Sequence, residues 1–158
     1  MKLSDALNDA ICEQIAHELS NSIKYMQIAS FFENLQLKKI SKYFYDQSNH
    51  EKEHADKFLQ YLNDRTGGNF IMPEMSNLLL DIPNVESVAS AYVALEEKTT
   101  DSIEDLYNLA FSERSYIDLE FLQKMLWEQV EEEDSALHFY ERIIKVKDLV
   151  IFDNTFGD

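Results

Sequence analysis

Residues 39–68 read KISKYFYDQSNHEKEHADKFLQYLNDRTGG, and the fold follows from this stretch. Nothing breaks it before Gly67-Gly68, and apolar residues recur at steps of three and four through Ile40, Phe44, Phe58 and Tyr61. That period predicts a helix over 39–66, ended by the glycine pair. Midway along its apolar stripe, Gln47, Glu51 and His54 stand where further apolar residues belong. Glu51 and His54 lie at i and i+3 and so project from one face.

Three more segments without helix breakers show the same period, over 5–35, 85–112 and 116–145. Asn84 after Pro83 is a natural N-cap for the third. The links near 35–38 and 113–115 are short, which makes the helices they join antiparallel. The link from Gly67 to Pro83 is long, and at about 3.3 Å per residue it reaches on the order of 55 Å. A helix of this size is only about 40 Å long, so the link can return along the whole bundle. Its Phe70, Ile71, Met72, Leu78, Leu79, Leu80 and Ile82 predict that it packs on the helices. The expected fold is all-α, a four-helix bundle with one long crossover, spanning one domain over 1–158.

The 158 residues include only 3 glycines and 2 prolines, which disfavours a turn-rich sandwich or barrel. A formal charge of −16 repels phosphate backbones and anionic lipid and attracts cations, so neither nucleic acid nor membrane is an expected partner. No run of 18 apolar residues occurs, and Met1 to Ile11 lacks the apolar core of a secretory signal, which predicts a cytoplasmic protein. Cys12 is the single cysteine, which rules out an internal disulfide or a cysteine-rich metal site.

Each helix carries a seam that turns polar near its middle. The seams read Leu7, Ile11, Ile15, Glu18, Ser22, Tyr25, Ala29, Phe32 in the first helix and Ile40, Phe44, Gln47, Glu51, His54, Phe58, Tyr61 in the second. They read Ser90, Val93, Glu97, Thr100, Glu104, Tyr107, Phe111 in the third and Leu122, Met125, Gln129, Glu132, Ala136, Phe139, Ile143 in the fourth. Aligned helices of similar length bring Glu18, Glu51, His54, Glu97 and Glu132 to one level. Carboxylates facing one another in an apolar interior are costly unless a cation or protons neutralise them. Hard oxygen ligands with one imidazole suit Fe, Mn or Zn, and the absence of thiolates excludes iron–sulfur clusters.

These residues resemble the ferritin family over nearly the whole chain. Glu18 followed by Tyr25, then Glu51-Lys52-Glu53-His54, then Glu97, then Glu128-Gln129-Val130-Glu131-Glu132, is similar to the ordered ferroxidase pattern of non-haem bacterial ferritins. The resemblance implies that Glu18, Glu51 and His54 hold a first iron, and that Glu51, Glu97 and Glu132 hold a second, with Glu51 bridging. It places Tyr25 beside the centre as a one-electron donor and Gln129 near the second iron. Glu128, Glu131 and Glu132 match a third iron position, where His50 stands in place of the usual carboxylate. Lys52 replaces the methionine with which bacterioferritins bind haem, so no haem is expected. The resemblance further implies oxidation of Fe(II) by O2 or H2O2 and storage of ferric mineral in a homo-oligomeric cage of 24 subunits. A diiron oxidase or peroxidase that stores nothing is the alternative, and an iron-free structural bundle is a further one. Residues 148–158 are too few for a full fifth helix, so a short tail is expected, its Val150, Ile151, Phe152 and Phe156 tucked against a neighbour.

Overall fold

A computed structural model describes residues 2–157. Its helices are α1 (Asp5–Asn34), α2 (Lys38–Thr66), α3 (Val85–Ser112), α4 (Tyr116–Ile143) and α5 (Leu149–Thr155). α1 packs along α2 and α3 along α4, while α1 meets α3 and α5 docks on α2. None of the described helices is long and apolar enough to cross a membrane.

The ends of the helices are set by local chemistry. The Ser4 hydroxyl accepts from Leu7 N at 3.0 Å, and Asn84 Oδ1 accepts from Ser87 N at 2.8 Å. Gly67 closes α2 in the left-handed region, with φ of 75°. Both short links turn through a non-glycine residue in that same region, Gln36 at φ 60° and Arg114 at φ 57°. α2 has no side-chain cap of its own. The Asp153 carboxylate supplies one from α5, accepting from Ile40 N at 2.9 Å.

The core falls into two apolar blocks. One joins Leu3, Leu7, Ile11 and Ile15 to Phe58, Leu62, Ile103, Leu106, Leu122 and Met125. The other joins Tyr25, Phe32, Phe44, Val88, Tyr92, Phe139 and Ile143 to Phe152 and Phe156. Between the blocks, Glu18, Asn21, Glu51, His54, Glu96, Thr99 and Gln129 form a buried polar layer. The crossover joins the two ends as its length predicts: Phe70 packs on the first block, and Leu80 and Ile82 on the second. Gln27 holds it midway, donating to Leu78 O at 2.6 Å and accepting from Leu80 N at 3.1 Å. Ile71, Met72 and Leu79 are exposed, so only part of its apolar content packs.

Two expectations need correction. The seam of α3 is Val88, Tyr92, Leu95, Glu96, Thr99, Ile103, Leu106 and Ala110, whereas Ser90, Glu97, Glu104 and Phe111 are exposed. The whole α3 stripe therefore sits one residue from its expected register. At the C-terminus the short tail expected in place of a full fifth helix is the 7-residue α5, and what changes there is that Phe152 and Phe156 pack on the chain's own second block. Asp148 initiates that helix by accepting from Val150 N and Ile151 N. Val150 and Ile151 themselves are exposed.

Candidate metal centre

The polar layer is built by one turn from each long helix. α1 contributes Glu18 and α2 contributes Glu51 and His54, all three buried. One ligand atom from each lies within 4.8 Å of the others. His54 Nδ1 stands 3.5 Å from Glu51 Oε2 and 3.9 Å from Glu18 Oε2. Those three atoms are buried without any hydrogen-bond partner. Buried polar atoms are almost always paired, so three converging acceptors left open describe a place for a cation. The donor set of two carboxylates and an imidazole fits Fe(II).

Neighbours orient these ligands. Gln14 Nε2 donates to Glu18 Oε1 at 2.8 Å, which holds that carboxylate with its other oxygen turned to the group. His54 Nε2 lies 3.2 Å from Glu128 Oε2, and Lys57 Nζ contacts the same carboxylate at 2.7 Å. Glu128 thus steadies the far side of the imidazole and is half-exposed at the edge of the layer.

α3 contributes Glu96, which is fully buried. The Tyr25 hydroxyl donates to its Oε1, and Gln129 Nε2 donates to its Oε2 at 3.2 Å. Glu97, expected in this place, is exposed and lines a groove between α3 and α4 with Val130, Glu131, Glu133, Asp134 and Leu137. Glu131, expected at a third position, lies in that outer groove as well. Rotation by one residue, about 100° around the helix axis, exchanges the two neighbouring glutamates of α3 between core and surface. Sequence reasoning also missed Gln14, whose role is visible only once Glu18 is known to face inward.

Electrostatics bind the layer into one unit. Burial pushes the Glu18 carboxyl well above its ordinary range, and Glu51 beside it adds to the push. Burial raises Glu51 in the same way, with Glu96 and Glu132 adding. Glu132, half-buried on α4, is pushed up from 4.5 to about 7, by burial first and then by Glu96. Without a cation the layer therefore holds protons that ordinary glutamates have lost at neutral pH. On the other side of α1, His17 Nε2 meets Thr99 Oγ1 at 2.9 Å, and burial followed by Lys24 and Lys98 lowers its pKa to about 4. That neutral imidazole ties α1 to α3 level with the carboxylates.

Residues 8–146 match the family model for the ferritin-like domain. The chain belongs to the ferritin family. This ferritin-like chain is 31% identical to ferritin BfrB of Mycolicibacterium smegmatis over 132 residues, 77% of its own length and 67% of that protein. It is 28% identical to the bacterial non-heme ferritin of Staphylococcus aureus over 144 residues, 89% of this chain and 86% of that one. Among solved structures it resembles an open-pore ferritin from the archaeon Archaeoglobus fulgidus, with a TM-score of 0.89 and 28% identity, covering 96% of this chain and 94% of that one. The fold is thus that of a ferritin-like domain, and the candidate metal group within it is Glu18, Glu51 and His54, with Glu96 rather than Glu97 as the buried carboxylate of α3.

Proposed function

We propose that this chain is an iron-storage ferroxidase. Two Fe(II) bind as substrate in the polar layer, the first between Glu18, Glu51 and His54 and the second between Glu51, Glu96 and Glu132, with Glu51 shared. The observation that carries the reading is the set of three buried, unpartnered ligand atoms on Glu18, Glu51 and His54. Carboxylates stabilise Fe(III) over Fe(II), so electron loss to O2 or H2O2 is favoured at this site. Gln14 and Gln129 orient the ligands, and the apolar blocks above and below limit solvent access. Glu128 stands at the exposed edge, where ferric product leaves or a third ion binds. The product is stored in the interior of a homo-oligomeric cage of 24 subunits in the cytoplasm, its acidic surface suited by the −16 charge of each chain. The centre uses no haem.

Aerobic loading of the metal-free protein with a large excess of Fe(II), followed by iron assay across a sizing column, tests the reading. Iron far above the pair the named ligands hold, eluting in a peak of cage size, is the expected result. A pair of ions in a small species means a diiron oxidase that stores nothing, and no bound iron removes the metal-centre assignment.

A further inference from the structure

Three phenols run in order from the carboxylate layer to the surface. The Tyr25 hydroxyl donates to Glu96 Oε1. The ring of Tyr25 meets that of Tyr92 edge-on, with centroids 5.5 Å apart and planes at 90°. The Tyr92 hydroxyl is 2.8 Å from the Tyr43 hydroxyl, and those two rings lie 6.2 Å apart. Tyr25 and Tyr92 are fully buried. Tyr43 is the outlet, lining an open pocket of ≈ 350 Å³ with Lys39, Lys42, Asp46 and Phe156.

Packing does not ask for these hydroxyls. Phe32, Phe44 and Phe139 fill the same block with plain rings, whereas a buried hydroxyl costs free energy unless it is hydrogen-bonded. The three phenols satisfy that need along one line, which begins at a candidate iron ligand and ends at solvent. Each is a group able to give up one electron together with its proton.

We propose that Tyr25, Tyr92 and Tyr43 form a one-electron relay that passes electrons from a small enediolate reductant of the ascorbate class at the Tyr43 pocket to O2 at the carboxylate centre. The relay rests on the ferroxidase reading given above. Reduction of O2 to water consumes four electrons and four protons, and a pair of Fe(II) supplies two of the electrons. The relay supplies the other two singly, and all four protons come from water at the centre, since every proton moved within the relay is returned. In each passage Tyr25 loses an electron to the oxidant and its proton to the Glu96 carboxylate. Tyr92 then gives an electron to the Tyr25 radical, and Glu96 returns the proton to Tyr25. The proton of Tyr92 moves to the Tyr43 oxygen as Tyr43 releases its own to water. A hydrogen atom next crosses from Tyr43 to the Tyr92 radical. The Tyr43 radical finally takes an electron from the reductant and a proton from water, which leaves all three phenols as they began. Tyr25, with a carboxylate ready to take its proton, is the member most easily oxidised.

The test injects the oxidising equivalent at the outlet and needs no iron. A ruthenium bipyridyl photo-oxidant on Lys42→Cys sits in the Tyr43 pocket, at the cost of an exposed ion pair with Asp46. Flash oxidation of this metal-free protein, followed by freeze-quench electron paramagnetic resonance, is expected to show the radical settling on Tyr25 and vanishing from that place in Tyr25→Phe. Tyr92→Phe keeps the ring contacts and is expected to slow arrival at Tyr25 by about tenfold or more. Arrival that is equally fast in Tyr92→Phe, or no radical on Tyr25 in the parent protein, overturns the relay whether or not the centre oxidises iron. A second arm adds Fe(II), O2 and then ascorbate. There the Tyr25 radical is expected to outlive that of the parent about tenfold in Tyr92→Phe and Tyr43→Phe, and equal lifetimes overturn the proposal. Loss of Fe(II) oxidation in the parent with an intact photochemical relay would instead count against the ferroxidase reading alone.

Discussion

His54 Nδ1 and Glu51 Oε2 stand 3.5 Å apart on one face of α2, both buried and both without a hydrogen-bond partner. The pair is costly to the metal-free fold, since an unpaired buried carboxylate is destabilising and the Glu18 carboxylate lies close by. Glu51→Gln keeps the shape and removes the charge. The metal-free variant is expected to be more stable than the parent by about 1–3 kcal/mol at pH 8, while fast Fe(II) oxidation is lost. Urea unfolding of the metal-free proteins and stopped-flow absorbance after Fe(II) addition measure the two effects. A variant that is less stable and equally active would show that Glu51 has no ligand role.

Glu96 and Glu97 are adjacent and chemically identical, so they form a sharp pair of tests. Glu96 is fully buried against Tyr25 and Gln129, and Glu97 faces the outer groove. Glu96→Gln is expected to lower the rate of Fe(II) oxidation by about 10–100-fold, the range seen when a group that holds or orients a metal is altered. Glu97→Gln is expected to leave the rate within about twofold, as an exposed substitution does. The reverse ranking in parallel stopped-flow traces would restore Glu97 to the centre.

The same two residues show what the sequence could and could not reveal. In α1, α2 and α4 the inward stripe can be followed through Leu7, Ile11, Ile15 and Phe32, through Ile40, Phe44 and Phe58, and through Leu122, Met125, Phe139 and Ile143. The polar interruptions at Glu18, Glu51, His54 and Gln129 are therefore legible as inward-facing, even though α4 also exposes Trp127, Val130 and Leu137. α3 carries two stripes, because Val93, Tyr107 and Phe111 mark an outer one that competes with Val88, Tyr92, Leu95, Ile103 and Leu106. Each stripe has a glutamate at the right height. The inner stripe has one carboxylate and the outer has two, Glu97 and Glu104, which is the signal that separates them. The turns at Gln36 and Arg114 have no comparable signal, since neither residue favours the left-handed region. The contact between Asp153 and Ile40 joins residues too far apart in sequence for any local pattern to announce.

Stability of the metal-free protein depends on pH in the direction opposite to ordinary acid denaturation. Glu132 is raised from 4.5 to about 7 in the fold, so the folded state holds a proton that the unfolded chain releases above about pH 4.5. Its contribution is fully present below that pH and disappears as pH rises through about 7. Glu18 and Glu51 are shifted the same way and reinforce the trend. The slope from Glu132 alone is at most about 1.4 kcal/mol per pH unit within the window. Metal binding must displace these protons, so Zn(II), an inert probe of the same ligands, is expected to raise Tm more at pH 8 than at pH 5.5. Calorimetry across that range, with and without Zn(II), measures both effects. A metal-free Tm that climbs steadily from pH 5.5 to 8 would contradict the protonated carboxylate layer.

The C-terminal helix gives a final prediction that is independent of metal. Asp153 is buried, and its carboxylate receives the Ile40 amide at the uncapped start of α2. On either side of it Phe152 and Phe156 pack against Phe139, with Tyr43 also touching Phe156. Asp153→Ala leaves a buried amide without an acceptor, at a cost of about 1–3 kcal/mol. Asp153→Asn keeps an oxygen for the amide and is expected to recover most of that loss. Because the carboxylate layer lies a few turns away along α2, both variants are expected to bind Zn(II) as the parent does while differing in Tm. Equal Tm for Asp153→Ala and the parent would mean that the fifth helix rests on its phenylalanines alone.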